Sequence, residues 1–229
     1  MKRFWKQAEA VAEDGGWGIA LDGRPVRTPV RAPLIVESPA LAEAIAAEWN
    51  AQGEDINPAA MPLTGIANAA IDLAAPDIAA FAEPIAAYAE SDLFCYRDNR
   101  DPALQGEQAA AWNPLLAWAE ERHGIEFTLA QGVLPIDQPE ATIAALRGAV
   151  LAQDAFRLAA LTPLVTIGGS LVAGLALIDG AFTADRLWEA VSLDELYQER
   201  RWGADGEAQK ARARREADWH NAARFLGLL

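Results

Sequence analysis

The chain of 229 residues contains one cysteine, Cys95, and two histidines, His123 and His220. A lone thiol excludes an intrachain disulfide and points to a reducing compartment. With no HExxH spacing around either imidazole and no paired cysteines, no metal is expected. Phosphate-binding loops are missing too: there is no GxxxxGK, and the glycines around Trp17 lack the third glycine of a dinucleotide loop. GGSLV at residues 168–172 lacks the last glycine of a nucleophile elbow, which makes Ser170 a helix-packing residue. No cofactor and no small-molecule substrate are therefore expected.

Positive charge is scarce as well. Lys and Arg number 19 against 33 Asp and Glu, a net charge of -14. That charge repels phosphate backbones and anionic lipid surfaces, so nucleic acid is excluded as a partner. Residues 1–36 hold six bases and four acids, so the excess acid lies in the second part of the chain. There it serves solubility or steers a basic protein partner. The amino terminus, MKRFWKQAEAVAEDGG, lacks the apolar run of a secretion signal, which places the chain in the cytoplasm or, after processing, in an organelle matrix.

Only one long apolar run exists, residues 158–178, with no charged residue over 21 positions. Its length would serve a membrane span. Pro163, Gly168, Gly169 and the alanine content weaken it, and a buried pair of short helices, or one helix packed on all sides, is preferred to membrane insertion.

What is present is a sequence with 52% hydrophobic residues, enough for a proper core. Residues 5–36 read as two to four short antiparallel strands, with Asp22-Gly23 as a hairpin signal. So small a sheet must dock on the rest of the chain or form a semi-independent flap. From Ser38 the period becomes helical: Ser38 as N-cap and Pro39 as first helical residue open a helix through Leu41, Ala44, Ile45 and Trp49, with Gly53 just past its end. A second helix turns Ile66, Ala70 and Leu73 inward, and a third from Asp77 to Tyr88 is bent or broken at Pro84. After a turn-rich link at residues 98–106, a helix from Glu107, or from Asn113, buries Trp112, Leu115, Leu116 and Ala119 and closes at Gly124. Ile143, Leu146 and Val150 mark another. The fold class is α+β: a small N-terminal antiparallel β domain, residues 1–37, followed by a larger all-helical domain, residues 38–229.

Near the carboxyl terminus LDELYQERRWGADGEAQKAR sets acids around one tryptophan. On a helix starting after Thr183, Trp188, Val191, Glu195 and Trp202 share one sector, flanked by Gln198 and Glu199, while Leu193, Leu196 and Tyr197 share another. A carboxylate among aromatics needs a cation. Arg200 or Arg201 bridging along the helix would supply it, or an arginine from a partner. Trp202 beside acids is the composition of a protein-binding hot spot. Carboxylate couples at Asp72 and Asp77, at Glu90 and Asp92, or among Asp194, Glu195 and Glu199 keep a small hydrolase as the alternative function.

Several segments together resemble one family: RFW at residues 3–5, LDGRPVRTP at 21–29, EWNAQ at 48–52, MPLTGIANAAID at 61–72, SDLFCYR at 91–97, WNPLLAWAE at 112–120, GLALIDG at 174–180 and LDELYQERRWGADGEA at 193–208. They are similar to the assembly chaperones of the ATP synthase alpha subunit. The resemblance implies a small β domain before a larger helical one and no enzymatic activity. It also implies binding of unassembled alpha subunit until a beta subunit joins. Its WG segment falls on Trp202, Gly203, Asp205 and Glu207, and its EW-x-x-Q segment on Glu48, Trp49 and Gln52, of which Trp49 completes an apolar stripe and belongs to the core. Partner-binding residues are expected at Glu195, Glu199, Arg201, Trp202, Asp205 and Glu207. Mitochondrial relatives carry further acids and a histidine after WG, where this chain has ADGEAQ. The short stretch before Arg3 suggests a bacterial member, acting in the cytoplasm; a processed organellar form would act in the mitochondrial matrix.

Overall fold

A computed structural model describes residues 2–132 and 134–229. The chain forms two compact units. One holds residues 2–78, Asp154–Ala160 and Asn221–Leu229; the other holds Ala79–Gln153 and Leu161–His220. The sheet thus shares its unit with the first helices, and the division expected at residue 37 does not separate them.

In the first unit β1 (Ala8–Glu13) and β2 (Gly16–Leu21) form an antiparallel hairpin running from the Ala8↔Leu21 pair to the Glu13↔Gly16 pair. The short strands β3 (Arg24–Pro25) and β4 (Ile35–Val36) share the opposite edge of β2. Asp22 and Gly23 turn β2 into β3 with φ of 48° and 78°, the left-handed pair that a two-residue hairpin turn demands. One face of the sheet covers a core in which Ile19, Leu21, Leu34 and Val36 meet Leu41, Ile45 and Leu63. Full burial of each such side chain contributes about 1.5–3 kcal/mol.

Helix α1 (Pro39–Asn50) starts as expected, with Ser38 Oγ accepting from Leu41 N at 3.4 Å, but it ends at Asn50, before Gly53. The residues that close it are braces. Asn50 accepts from Ala8 N at 2.8 Å and donates to Ala8 O at 2.7 Å. Glu48 accepts from Leu63 N, Thr64 N and Thr64 Oγ1 at 2.7, 2.8 and 2.7 Å, capping α2 (Pro62–Ala69), whose own Met61 offers no side-chain cap. Arg3 donates to the carbonyls of Trp5, Lys6, Asn50 and Gln52. Trp49 is half-buried, edge-on to Trp5 at 5.1 Å.

Past α2 the backbone widens into a π turn, Ala70–Ala74. That change of pitch rotates Leu73 outward, to 61% exposure, and leaves Ala70 and Ala74 inside; the expected inward Leu73 is therefore corrected.

In the second unit α3 (Ile78–Ala86) passes through Pro84 and tightens into a 3-10 turn, Ala87–Glu90. Helix α4 (Pro102–His123) starts earlier than either expected position. Asp101 caps it and Pro102 fills the first turn, whereas Asn113-Pro114 lies inside it. Its end is the expected one, Gly124 at φ 65°. A two-residue parallel ladder joins β5 (Tyr96–Arg97) to β6 (Ala130–Gln131). Helix α5 (Glu140–Leu151) comes next, with Leu146 and Val150 buried.

The apolar run resolves into α6 (Ala155–Gly168) and α7 (Leu171–Ile178), split at Gly169, φ 67°. Among the described residues no single helix is long and apolar enough to cross a membrane. Close packing explains the small residues: a Cβ at Gly174 would stand 2.5 Å from Leu161 Cδ1. Ser170 is not a packing residue. Its hydroxyl accepts from Ala173 N at 3.0 Å, capping α7, and donates to Asp92 at 3.0 Å.

Candidate functional site

The sequence predicts one helix from Thr183 to Trp202, and the structure breaks it. Thr183 caps α8 (Ala184–Val191), Ser192 interrupts at φ -95°, ψ 1°, and α9 (Leu193–Trp202) continues from there. The break removes the shared sector: Trp188 stays buried against Trp219 at 5.8 Å, while Trp202 is 73% exposed. Gly203, at φ 94°, ends α9, and α10 (Gly206–Gly227) begins three residues later.

Ion pairs flank α9. On one side Arg212, from α10, reaches Glu199 at 2.5 Å and Glu195 at 3.5 Å, and Arg215 also pairs with Glu195. The hydrogen bond from Gln209, then the Arg212 guanidinium, holds the Glu199 carboxyl below its ordinary range. On the other side Arg201 pairs with Asp101 at 2.5 Å, and Tyr197 donates its hydroxyl to the same carboxylate at 2.8 Å. Arg200 pairs with Glu107. The bridge expected along the helix from Arg200 or Arg201 to Glu195 is thus replaced by one from the next helix. Sequence periodicity on a single straight helix had no means of locating Arg212 or Arg215.

The six expected contact residues therefore separate into two groups. Glu195, Glu199 and Arg201 are held inside the chain. Trp202, Asp205 and Glu207 cluster at the α9–α10 corner. Asp205 Oδ1 accepts from Glu207 N and Ala208 N at 2.8 and 3.0 Å, and the Glu207 carboxylate pairs with the exposed Lys210, at 2.8 Å. Among the described residues no guanidinium pairs with Asp205 or Glu207. Trp202 lines two hollows, one of about 540 Å³ with Asp98, Leu104 and Tyr197 and one of about 230 Å³ with Glu199 and Asp205.

The other candidate carboxylates differ in their surroundings. Asp92 is fully buried and accepts from Phe94 N, Val172 N and Ser170 Oγ, at 3.0, 2.9 and 3.0 Å, whereas Glu90 is exposed. Burial pushes Asp92 up to about 6 against the pull of those donors. Asp72 accepts from Val30 N at 3.3 Å, and Asp194 from Gln108 at 2.8 Å. No group of three or more metal-ligating side chains occurs among the described residues. Cys95 is buried, and burial raises its thiol to about 12, which leaves it unreactive.

Sequence reasoning missed Arg97. Its guanidinium lies over Trp112 at 5.1 Å and Nη2 donates to Asn113 Oδ1 at 2.8 Å, but Nε and Nη1 are buried without an acceptor. The signal was its place at the end of SDLFCYR, one of the family-like segments.

Comparison with known proteins agrees with this architecture. The family model described as ATP12 chaperone protein matches residues 2–120. The mitochondrial protein atp12 of Schizosaccharomyces pombe is 23% identical over 217 residues, 89% of this chain and 74% of the relative. The crystal structure of Atp12 from Paracoccus denitrificans, and that of its aspartate-to-lysine variant, each superpose with a TM-score of 0.93 at 41% identity, covering 99% of this chain and 97% of theirs. A chaperone-like protein of Agrobacterium tumefaciens gives 0.93 at 39% identity, over 99% of this chain and 85% of its own.

Proposed function

The chain belongs to the ATP12 chaperone family, and from that premise we propose that it binds the unassembled alpha subunit of the ATP synthase catalytic head and shields its subunit interface until a beta subunit joins. An obligate subunit without its neighbour exposes a large apolar surface and aggregates. A protein that covers such a surface must also leave it, which favours a few aromatic anchors edged with charge over a sealed apolar interface.

The observation that carries this reading is the α9–α10 corner. Trp202 stands 73% exposed there, with Asp205 and Glu207 beside it and no guanidinium on either among the described residues. An exposed indole loses no internal contact on docking, and an acid without a cation gains one. Glu195, Glu199 and Arg201 act one step back, holding the corner in place through Arg212, Arg215 and Asp101. The work is stoichiometric binding without catalysis or cofactor, performed in a bacterial cytoplasm.

Co-expression with tagged alpha subunit, followed by a pull-down, tests the proposal. Retention of the chain with alpha subunit alone, and its release when beta subunit is added, is the expected result. Absence of retention, with the chain shown to be folded, ends it.

A further inference from the structure

A third cavity, of about 410 Å³, lies next to the larger of the two hollows that Trp202 lines, and the two share Asp98, Arg100, Leu104 and Gln198. Leu93, Tyr96 and Leu104 supply its apolar wall, and Arg97, Arg100, Asp98 and Asp194 its charge, two of each sign, of which Arg97 and Asp194 are the more buried. Arg97 and Asp194 do not pair: among the described residues no carboxylate comes within 4.0 Å of Arg97, and Asp194 has no cation at that distance. Arg97 keeps two buried N–H groups, Nε and Nη1, without an acceptor. One oxygen of Asp194 is fixed by Gln108, itself buried and accepting from Asp98 N at 2.8 Å. Burial lowers the Arg97 guanidinium and raises the Asp194 carboxyl, each against the weaker pull of the other's charge across the cavity.

An occupant has to accept from the arginine and give to the aspartate. A carboxylate would suit Arg97 and Arg100 but stand against Asp194 and Asp98; an ammonium would do the reverse. A neutral amide serves both, because its carbonyl and its N–H point in opposite directions. We propose that this cavity holds one peptide group of an extended client segment, its carbonyl accepting from Arg97, its N–H donating to Asp194 and an apolar side chain resting on Leu93, Tyr96 and Leu104. The proposal rests on the client-binding function above and extends it: the segment that packs on Trp202 continues into this cavity and is held there by its main chain. Recognition of that kind is indifferent to most of the client's sequence.

Nuclear magnetic resonance of the full chain, observing the Arg97 Nε–H and the Gln108 side-chain amide, tests the chemistry with three probes of similar size. N-acetylleucine amide is neutral, N-acetylleucine carries a carboxylate and leucine amide carries an ammonium. Saturable shifts of both groups with the neutral probe, at a Kd at least roughly threefold lower than for either charged one, support the proposal. Tighter binding of a charged probe, or no shift at either group, overturns it. Asn99 lines the cavity from an exposed position, so Asn99→Trp fills its mouth without replacing Arg97, Trp112 or Asn113. That variant should abolish the shifts and weaken capture of alpha subunit by about tenfold with an unchanged Tm. Undiminished capture overturns the proposal. A wild-type chain that captures no alpha subunit removes the client function instead, and the probe titration then judges the cavity by itself.

Discussion

Arg3 and Arg97 each lay a guanidinium over a tryptophan, 5.4 Å from Trp5 and 5.1 Å from Trp112. Beyond that they differ. Arg3 gives its donors to four backbone carbonyls and joins the amino terminus to the end of α1. Arg97 makes one side-chain bond, to Asn113, and leaves two buried donors with no acceptor. The same contrast separates carboxylates: Glu48 is consumed by three donors at the start of α2, and Glu207 pairs with a solvated lysine. All four residues belong to segments that resemble the family, so the resemblance alone does not tell a brace from a contact. What tells them apart is unused hydrogen-bonding capacity, because a buried group that nature leaves unpaired costs stability unless something else meets it.

The comparison is broken most severely at the most enclosed group. Asp92→Asn replaces a carboxylate whose two oxygens accept from three donors, and should lower the unfolding free energy by about 3 kcal/mol in urea denaturation. The residue also carries a pH signature. Its native carboxyl sits at about 6 against an ordinary 3.8, so between those values the folded chain binds the extra proton. Asp92 therefore contributes most below the lower value, and its contribution is lost as the pH rises through the upper one. The stability gap between wild type and Asp92→Asn should accordingly widen between about pH 7 and about pH 5; a gap that narrows on acidification would assign the carboxyl a depressed value.

Arg3→Ala comes next, with an expected loss of about 2 kcal/mol, because four carbonyls lose a charged donor in a partly solvated setting. Arg97→Met keeps an apolar stem over Trp112 and removes the two unpaired donors, so its effect on unfolding should stay below about 1 kcal/mol. Equal losses for the two variants would show that Arg97 is as much a brace as Arg3.

Much of this arrangement was legible in the chain itself, and the failures have a common cause. Ser38-Pro39, Asp22-Gly23 and Gly124 were read at their places because capping and left-handed turns depend on one or two residues. The period of α4 gave Trp112, Leu115, Leu116 and Ala119 as buried, which they are. Leu73 was misplaced because a π turn changes the pitch that periodicity assumes. The early start of α4 was hidden in DNRDPALQG, where Asp101-Pro102 reads equally as a turn or as a cap with its first helical residue. At the corner the tryptophan and its acids were identified as a group, yet nothing local indicated that Glu195 and Glu199 would be claimed by arginines 13 to 20 residues further on. Pairing between helices is a tertiary fact, invisible to a pattern that treats one helix at a time. Arg97 escaped for the same reason, since the absence of an acceptor is a property of its surroundings.

The smallest stability effects are expected at the corner itself, and there the distinction between holding and touching becomes measurable. Trp202→Ala should change the unfolding free energy by no more than about 0.5 kcal/mol, as for other exposed positions, yet weaken alpha-subunit capture by about tenfold or more. Glu207→Lys should also leave thermal unfolding unchanged and slow association, and added salt should slow the variant less than it slows the wild type, whose attraction it screens. Glu195→Gln and Glu199→Gln should behave in the opposite manner. Each removes an acceptor from Arg212, so the junction of α9 and α10 loosens, thermal unfolding shifts down at low ionic strength and the shift shrinks as salt screens the pair in the wild type. Their capture of alpha subunit should fall only as far as the corner becomes mobile, which hydrogen exchange of the 203–208 amides would register directly. Loss of capture in Glu195→Gln with those amides still protected would move the carboxylate from the support into the interface.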